Sequence, residues 1–274
     1  MTGPAILEVT ITHNLPDQKE VQELFEKRLI AIDWGREWNW KSTDPESYKG
    51  RAKTDLRLFH AMKRDGAAVI AAHKTAVPKR SDRIIGWVEA GTEFVMLNGL
   101  LCLQLTNARV VSSATSFLGN LAPRGCTVQP CHDRAKGRLA NLIRGIPIER
   151  GVWSLHHYDV EWLVTNHLIR SGLCLTVWSG GRSFESIDHA GYGTTGREVL
   201  VQTTVSASVI ADKANALLSL GNANRDLMMF GPEAGRWRCP SGIMYHAIED
   251  VFAAIDATTE GRWLIDRMLS CGAV

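Results

Sequence analysis

The 274-residue sequence predicts two domains: an α+β domain built on a small barrel of short strands, followed by an α/β domain. Three observations support this prediction. Hydrophobic residues make up 45% of the chain and charged residues 22%, as in ordinary globular proteins. Short apolar segments and two amphipathic helices fill residues 1–120, and helices alternate with strands over residues 154–274. Residues 121–153, rich in proline and glycine, are predicted to connect the two domains.

In the first domain, apolar residues at i, i+3 and i+4 predict helices, and short apolar segments predict strands. A helix is predicted over Asp17–Ile32, with Pro16-Asp17 as its start signal and Val21 and Leu24 on its apolar face. A second amphipathic helix covers Ala52–Lys63. The predicted strands are Ala5–Thr12, Ala67–His73, Arg83–Glu89, Phe94–Leu97, Leu100–Leu105 and Ala108–Ser112.

The connector is predicted to contain one short basic helix, Arg134–Arg144. The second domain follows the order α-β-β-α-β-α, which is typical of a sheet covered by helices. Its predicted helices are Asp159–Ser171, Val209–Leu220, Ser241–Asp256 and Thr258–Ser270. Its predicted strands are Leu173–Trp178, Glu198–Val205 and Arg225–Phe230.

The formal net charge of +2 conceals an uneven distribution of charge along the chain. Residues 49–150 carry 17 basic and 7 acidic residues, a net charge of +10, whereas each flank carries −4. Such a surplus within a nearly neutral chain indicates contact with nucleic-acid phosphates. The alternative is a solvated basic face.

The sequence predicts a cytoplasmic protein without membrane contact. No apolar run approaches the roughly 20 residues of a membrane span, and the first residues lack the basic segment of a secretory signal. The six cysteines are scattered, which favours reduced thiols over a disulfide framework. Cys126, Cys131 and His132 have the spacing of three zinc ligands, but without an evident fourth ligand we favour buried thiols and a loop histidine.

Four polar residues of the second domain have a spacing typical of metal-dependent nucleases. Glu161 lies on the first predicted helix of this domain, and Asp188 follows a glycine-rich turn. Gln202 and Thr204 occupy i and i+2 of an apolar strand and therefore face the same side. Carboxylate and carbonyl oxygens suit Mg²⁺ (or Mn²⁺), whose bound waters can attack a phosphodiester. In the alternative interpretation, Asp188 caps a turn and Gln202 hydrogen-bonds across the sheet.

With these residues, positions 154–240 resemble the PD-(D/E)XK restriction-endonuclease fold, particularly its Mrr-like branch. That branch has a helix with Glu, then Asp, then a strand ending in Gln-x-Lys, and Glu161, Asp188 and Gln202 match the first three of these residues. The resemblance implies an α/β restriction-endonuclease-like domain in which these three side chains hold the metal ion at a catalytic site.

The sequence departs from the family at the lysine, because Thr204 occupies its position. In the family this lysine positions or activates the attacking water. Either cleavage is lost in this chain, or another cation replaces the lysine. Lys213 on the following helix is the nearest candidate, and Arg197 is a weaker one.

The first domain resembles a PUA-superfamily, EVE-like module. The resemblance rests on Gly50–Lys53, on Met62–Gly66, and on the apolar strands Ala67–His73 and Ile84–Val88. It implies a small barrel that recognises a modified base in an aromatic-lined pocket.

A flipped or modified base is held by stacking on aromatic rings and by hydrogen bonds to its edge. Trp34 and Trp40 are the predicted stacking residues, with Trp38 and Trp87 as further candidates; core packing is the alternative for each. The basic residues predicted to contact phosphates are Lys49, Arg51, Lys53, Arg57, Lys79, Arg80 and Arg83.

The combined prediction is a modification-dependent, restriction-type DNA endonuclease that acts as a homodimer on modified double-stranded DNA, in antiviral defence. Its candidate catalytic residues are Glu161, Asp188, Gln202, Thr204 and Lys213. One alternative is a non-catalytic reader of modified DNA, with a degenerate nuclease fold, in a defence or repair complex. A more remote alternative is an RNA-binding protein.

Overall fold

The computed structural model describes residues 6–32, 42–74, 83–112, 117–121, 127–131, 137–179 and 186–271. The chain divides into two compact units. One comprises Met1–Glu149 together with Arg267–Val274, and the other comprises Arg150–Asp266. Both units combine helices with sheets, so the predicted mixed α/β class is confirmed. None of the helices in the described ranges is both long and apolar enough to span a bilayer.

The described residues of the first unit form two sheets and three helices, together with the last residues of the chain's final helix. Its five-stranded sheet has the order β7-β4-β3-β1-β8, and its three-stranded sheet has the order β2-β6-β5. The strands are β1 (Glu8–His13), β2 (Leu29–Ile32), β3 (Ala67–His73), β4 (Arg83–Val88), β5 (Val95–Leu97), β6 (Leu100–Gln104), β7 (Thr106–Val111) and β8 (Val128–Pro130). The helices are α1 (Gln18–Glu26), α2 (Gly50–Asp65) and α3 (Arg138–Arg144). Neither sheet closes into a barrel within the described residues, so the small barrel expected for this domain is not found there.

Helix α1 is shorter than the sequence predicts. Arg28 adopts a φ of 56°, a left-handed conformation that cannot continue a right-handed helix. The next residues, Leu29–Ile32, form β2 and pair antiparallel with β6. The prediction of one helix through Ile32 is therefore wrong, because an apolar run of this length also satisfies the pattern of a buried strand.

The second unit is a five-stranded sheet with helices packed against it. The order of its strands is β13-β12-β11-β10-β9. Strand β10 is antiparallel to both β9 and β11, whereas β12 is parallel to both β11 and β13. The elements are α4 (His157–Arg170), β9 (Cys174–Ser179), β10 (His189–Gly193), β11 (Glu198–Thr203), α5 (Ile210–Leu218), β12 (Arg225–Gly231), β13 (Met244–Ala247), α6 (Ile248–Asp256) and α7 (Thr259–Leu269).

The predicted helix Ser241–Asp256 is wrong in its first half. Met244–Ala247 is strand β13, which pairs parallel with β12, and α6 begins only at Ile248. The helical pattern survives in the second half, where Ile248, Val251 and Ile255 are buried on one face.

The two faces of the second sheet are covered by different helices. Ala190 of β10 and Leu200 of β11 lie in one buried cluster with Leu217 of α5. His189, one residue before Ala190, instead lies 3.4 Å from Thr165 of α4, between His189 Nδ1 and the threonine hydroxyl. Because successive strand residues face opposite sides, α5 and α4 mark the two faces of this sheet.

Candidate active site

The central strands of the second unit hold Asp188 in a fixed orientation. The Asp188 N–H donates to the carbonyl of Val201 at 2.9 Å, which extends the antiparallel ladder of β10 and β11. Asp188 Oδ2 accepts a hydrogen bond from Gln202 Nε2 at 2.6 Å and a second from the Thr203 N–H at 2.7 Å. These bonds restrict the rotation of the carboxylate, so Asp188 and Gln202 form one structural unit.

Helix α5 closes this region from the side. Ile210, Ala214 and Leu217 are buried at i, i+4 and i+7 and orient the helix on the sheet. This orientation directs Asp212 and Lys213 toward Asp188 and Gln202. A pocket of about 330 Å³ is lined by Ser186, Ile187, Asp188, Gln202, Asp212, Lys213 and Ala216.

Lys213 brings a positive charge to the pocket. Its Nζ donates to the carbonyl of Thr203 at 3.0 Å, one residue beyond Gln202. Within the described part of the chain, no carboxylate lies within ion-pair distance of this ammonium group. The charge of Lys213 is therefore available to a negatively charged group in the pocket.

The oxygens lining the pocket are of the kind that hard cations bind. The carboxylates of Asp188 and Asp212 and the side-chain amide of Gln202 are all present. Over the ranges that the structure describes, three or more His, Cys, Asp or Glu residues do not converge into a metal-binding group. Two carboxylates and one side-chain amide line the pocket, and oxygens of these kinds can bind Mg²⁺ that retains several waters.

Two of the predicted site residues lie elsewhere. Glu161 belongs to α4 and is not among the residues that line the pocket. Thr165, one turn further along α4, contacts His189, whose side chain lies on the sheet face opposite α5. Thr204 is 8% exposed, and its hydroxyl accepts from the Ser206 N–H at 3.2 Å within a turn.

The structure thus brings Asp188, Gln202 and Lys213 together, without Glu161 and Thr204. It adds Asp212 and Ser186, which sequence reasoning missed. The only available signal for Asp212 was its position directly before Lys213, the lysine predicted to replace the family's own.

The predicted phosphate-binding residues of the first unit are partly paired with acids. Glu46 accepts from Lys53 Nζ at 2.6 Å and from an Arg57 guanidinium nitrogen at 2.7 Å. Arg51 Nε lies 2.8 Å from Asp55 Oδ1. Exposed ion pairs such as those of Glu46 contribute little to the free energy of unfolding. A phosphate group could therefore compete with Glu46 for Lys53 and Arg57.

The remaining predicted residues of the first unit lie in separate elements or outside the described ranges. Lys49 is exposed at the start of α2, and Arg83 is half-buried at the start of β4, where burial lowers the pKa of its guanidinium. The Arg144 guanidinium lies 4.8 Å above the ring of Trp87 and covers one of its faces. The predicted residues outside the described ranges are Trp34, Trp38, Trp40, Lys79 and Arg80.

Comparison with known proteins finds no relative of this chain. No protein-family model, curated protein or solved structure matches the chain.

Proposed function

We propose that the chain is a metal-dependent DNA endonuclease of the restriction type, with its active site at Asp188, Gln202 and Lys213. One observation carries the proposal. Asp188, Gln202 and Lys213, which are far apart in the sequence, line one pocket together with a second carboxylate, Asp212.

The order of elements supports the proposal. Helix α4, the Asp188 position, strand β11 with Gln202, helix α5 and strand β12 follow one another as the restriction-endonuclease resemblance implies. Lys213 lies in the same pocket as the acid and the amide and can supply the positive charge that Thr204 lacks. Asp212 takes the place expected of Glu161 as the second carboxylate of the site.

Each pocket side chain has a chemical role in this proposal. Asp188, Asp212 and Gln202 would hold Mg²⁺ or Mn²⁺, which supplies a water of lowered pKa and neutralises charge on the scissile phosphate. The Lys213 ammonium donates to a phosphate oxygen and stabilises the charge that develops there during attack. The bonds from Gln202 and Thr203 keep Asp188 oriented before substrate arrives, so little reorganisation is needed.

The substrate and setting follow from the same proposal. The basic surplus of residues 49–150 would attract double-stranded DNA, and an EVE-like first domain would recognise a modified base. Cutting both strands requires two active sites, so we propose that the protein acts as a homodimer. A restriction enzyme that acts on modified DNA serves antiviral defence in the cytoplasm.

The direct test replaces Asp188 with Asn, which keeps the shape of the side chain. We expect metal-dependent nicking of modified plasmid DNA to fall at least about 100-fold, as when a preorganised electrostatic group is lost. The Lys213→Met variant is expected to lose activity by a similar factor. Asp250→Asn, on an exposed face of α6, is the matched control and is expected to cleave like the wild type. Unchanged nicking by Asp188→Asn would refute the assignment.

The alternative is a non-catalytic reader of modified DNA. Two observations favour it: the Thr204 hydroxyl is engaged in a turn, and the Lys213 ammonium already donates to a backbone carbonyl. Binding of modified over unmodified duplex, without cleavage in Mg²⁺ or Mn²⁺, would establish this alternative. A preference for RNA over DNA would instead favour an RNA-binding protein.

A further inference from the structure

The hairpin of β9 and β10 carries two aromatic rings on an uncovered part of the sheet. Trp178 of β9 is 47% exposed, and Tyr192 of β10 is 50% exposed. Aromatic rings contribute large apolar areas, which folding normally removes from water. Other aromatic residues, such as Trp162 and Trp237, are also exposed, but Trp178 and Tyr192 lie next to each other on one hairpin.

Strand pairing shows which way the rings point. Trp178 pairs with Ala190, and Ala190 belongs to the buried cluster under α5. Tyr192 lies two residues after Ala190 and pairs with Thr176. Residues paired across a ladder, and residues two apart on one strand, share a face. Both rings therefore lie on the α5 face, as diagonal neighbours about 7–8 Å apart.

The same face carries the candidate active site. Asp188 lies two residues before Ala190, and Gln202 lies two residues after Leu200, the residue that pairs with Ala190. The row of Asp188 and Gln202 is therefore adjacent to the row of Trp178 and Ala190. A ligand lying along this face would extend from the rings toward the pocket of Asp188, Gln202 and Lys213.

We propose that Trp178 and Tyr192, here called the aromatic platform, stack on unpaired nucleobases of the strand that enters the pocket. This inference rests on the proposed nuclease function and narrows its substrate. The preferred substrate would be duplex DNA whose strands are locally unpaired at the cut. Stacking on an aromatic side chain contributes about 1–3 kcal/mol per base and tolerates any sequence.

Charge and shape favour a nucleic-acid strand as the occupant. The pocket in the row next to the platform holds the ammonium group of Lys213, and in the described ranges no acid pairs with it. The residues between the two rings are small, because Ala190 pairs with Trp178 and the exposed Thr176 pairs with Tyr192. These small neighbours leave room for flat bases beside the half-exposed rings, and the cation of the adjacent pocket suits the phosphates that join the bases.

The test measures binding without metal, so that cleavage does not interfere. Fluorescence anisotropy of labelled single-stranded oligothymidine is recorded in EDTA with the full chain. We expect Trp178→Ala and Tyr192→Ala each to raise the Kd about tenfold, and Trp178→Phe to keep most of the affinity because Phe still stacks. Trp237→Ala is the matched control, because Trp237 is 76% exposed but lies outside the hairpin. Its Kd is expected to equal that of the wild type.

The outcomes separate this inference from the proposed function. If Trp178→Ala binds oligothymidine like the wild type while Asp188→Asn loses cleavage, the platform is refuted and the nuclease stands. If Trp178→Ala loses binding while Asp188→Asn cleaves normally, the platform stands and the catalytic assignment fails. Self-association that disappears in Trp178→Ala, at unchanged oligothymidine affinity, would refute the platform and identify a protein-binding surface.

Discussion

Asp55 on α2 is a buried carboxylate whose environment opposes its charge. Its side chain is 1% exposed; Oδ1 lies 2.8 Å from Arg51 Nε, and Oδ2 has no hydrogen-bond partner among the described residues. Burial raises the pKa of Asp55 from 3.8 to about 6, and the Arg51 guanidinium only partly offsets this effect. The folded protein therefore binds the Asp55 proton more tightly than the unfolded chain does.

This raised pKa predicts how the Asp55→Asn variant responds to pH. Because the folded-state pKa lies above the unfolded value, ionisation of Asp55 lowers the free energy of unfolding as pH rises from about 4 to 6. The neutral Asn escapes this loss. We expect the stability of Asp55→Asn relative to the wild type to increase by about 2–3 kcal/mol between pH 4 and 7, as measured by urea unfolding.

Asp65→Asn provides the control for this measurement. Asp65 is an exposed residue of the same helix, and the hydrogen bond from Arg64 lowers the pKa of its carboxylate. Its substitution is expected to produce no gain in relative stability with rising pH. A flat difference between Asp55→Asn and the wild type would contradict the raised pKa.

At the site, single residues differ in how far the sequence could predict them. The pairing of Asp188 with Gln202 was predictable, since a polar residue in an apolar strand needs a partner and the strands are short. The position of Glu161 depends on the rotation of α4 about its axis, which the apolar positions of the helix determine only approximately. Asp212 reaches the pocket through the packing of α5, which no local pattern encodes.

At the scale of elements, the beginning of α3 depends on an acid from a distant strand. Glu8 of β1 is 4% exposed. Its Oε2 accepts from the Gly137 N–H at 2.9 Å, and its Oε1 accepts from the Ala140 N–H at 2.7 Å. A helix leaves its first N–H groups without intrahelical partners, and here both carboxylate oxygens satisfy them.

We expect Glu8→Ala to destabilise the first unit by about 2–4 kcal/mol in urea unfolding, because two buried N–H groups lose their acceptors. Glu8→Gln keeps one acceptor oxygen, and its expected cost is about 1 kcal/mol. Glu93→Ala removes a carboxylate whose side chain is 82% exposed, and it is expected to stay within about 0.5 kcal/mol of the wild type. Equal stability of all three variants would exclude the capping role of Glu8.

Helices and strands were predictable where the spacing of apolar residues and the length of the segment indicated the same element. Strand β3 has the predicted bounds Ala67–His73, because a short apolar run between polar segments leaves no alternative. The errors at Leu29–Ile32 and Met244–Ala247 share one cause: each strand lies within two residues of a helix, and no glycine separates the apolar patterns of the two elements, as Gly66 does before β3. Only the partner strands, β6 and β12, decide these segments.

Across the whole molecule, charge along the sequence does not predict charge at the surface. Glu46 belongs to the acidic flank of the sequence, yet it pairs with Lys53 and Arg57 from the basic segment. The net charge of +10 over residues 49–150 is therefore partly neutralised in the fold. Electrostatic attraction of DNA depends on the basic side chains that remain unpaired.

Buried histidines in both units determine how the whole molecule responds to acid. In the first unit, burial lowers the pKa of His13 well below 6.5, and the stacked ring of His73 adds to this effect. In the second unit, burial lowers the pKa of His167, His189 and His246. In each of these rings the folded state disfavours the imidazolium form.

These depressed pKa values predict that both units lose stability as pH falls below about 6.5, because the unfolded chain then binds protons that the folded chain does not. In the first unit, Asp55 binds its proton as pH falls through about 6 and offsets part of this loss. Each fully suppressed ring contributes a slope of at most about 1.4 kcal/mol per pH unit. Calorimetry from about pH 7.5 to 5.5 should show falling unfolding temperatures, and native-state hydrogen exchange assigns the loss to each unit. Salt does not screen the desolvation that lowers these pKa values, so the dependence of stability on pH should persist at high salt. An unfolding temperature that stays constant or rises as pH falls over this range would contradict the prediction. If high salt removes the dependence of stability on pH, that dependence comes from surface ion pairs and not from the buried histidines.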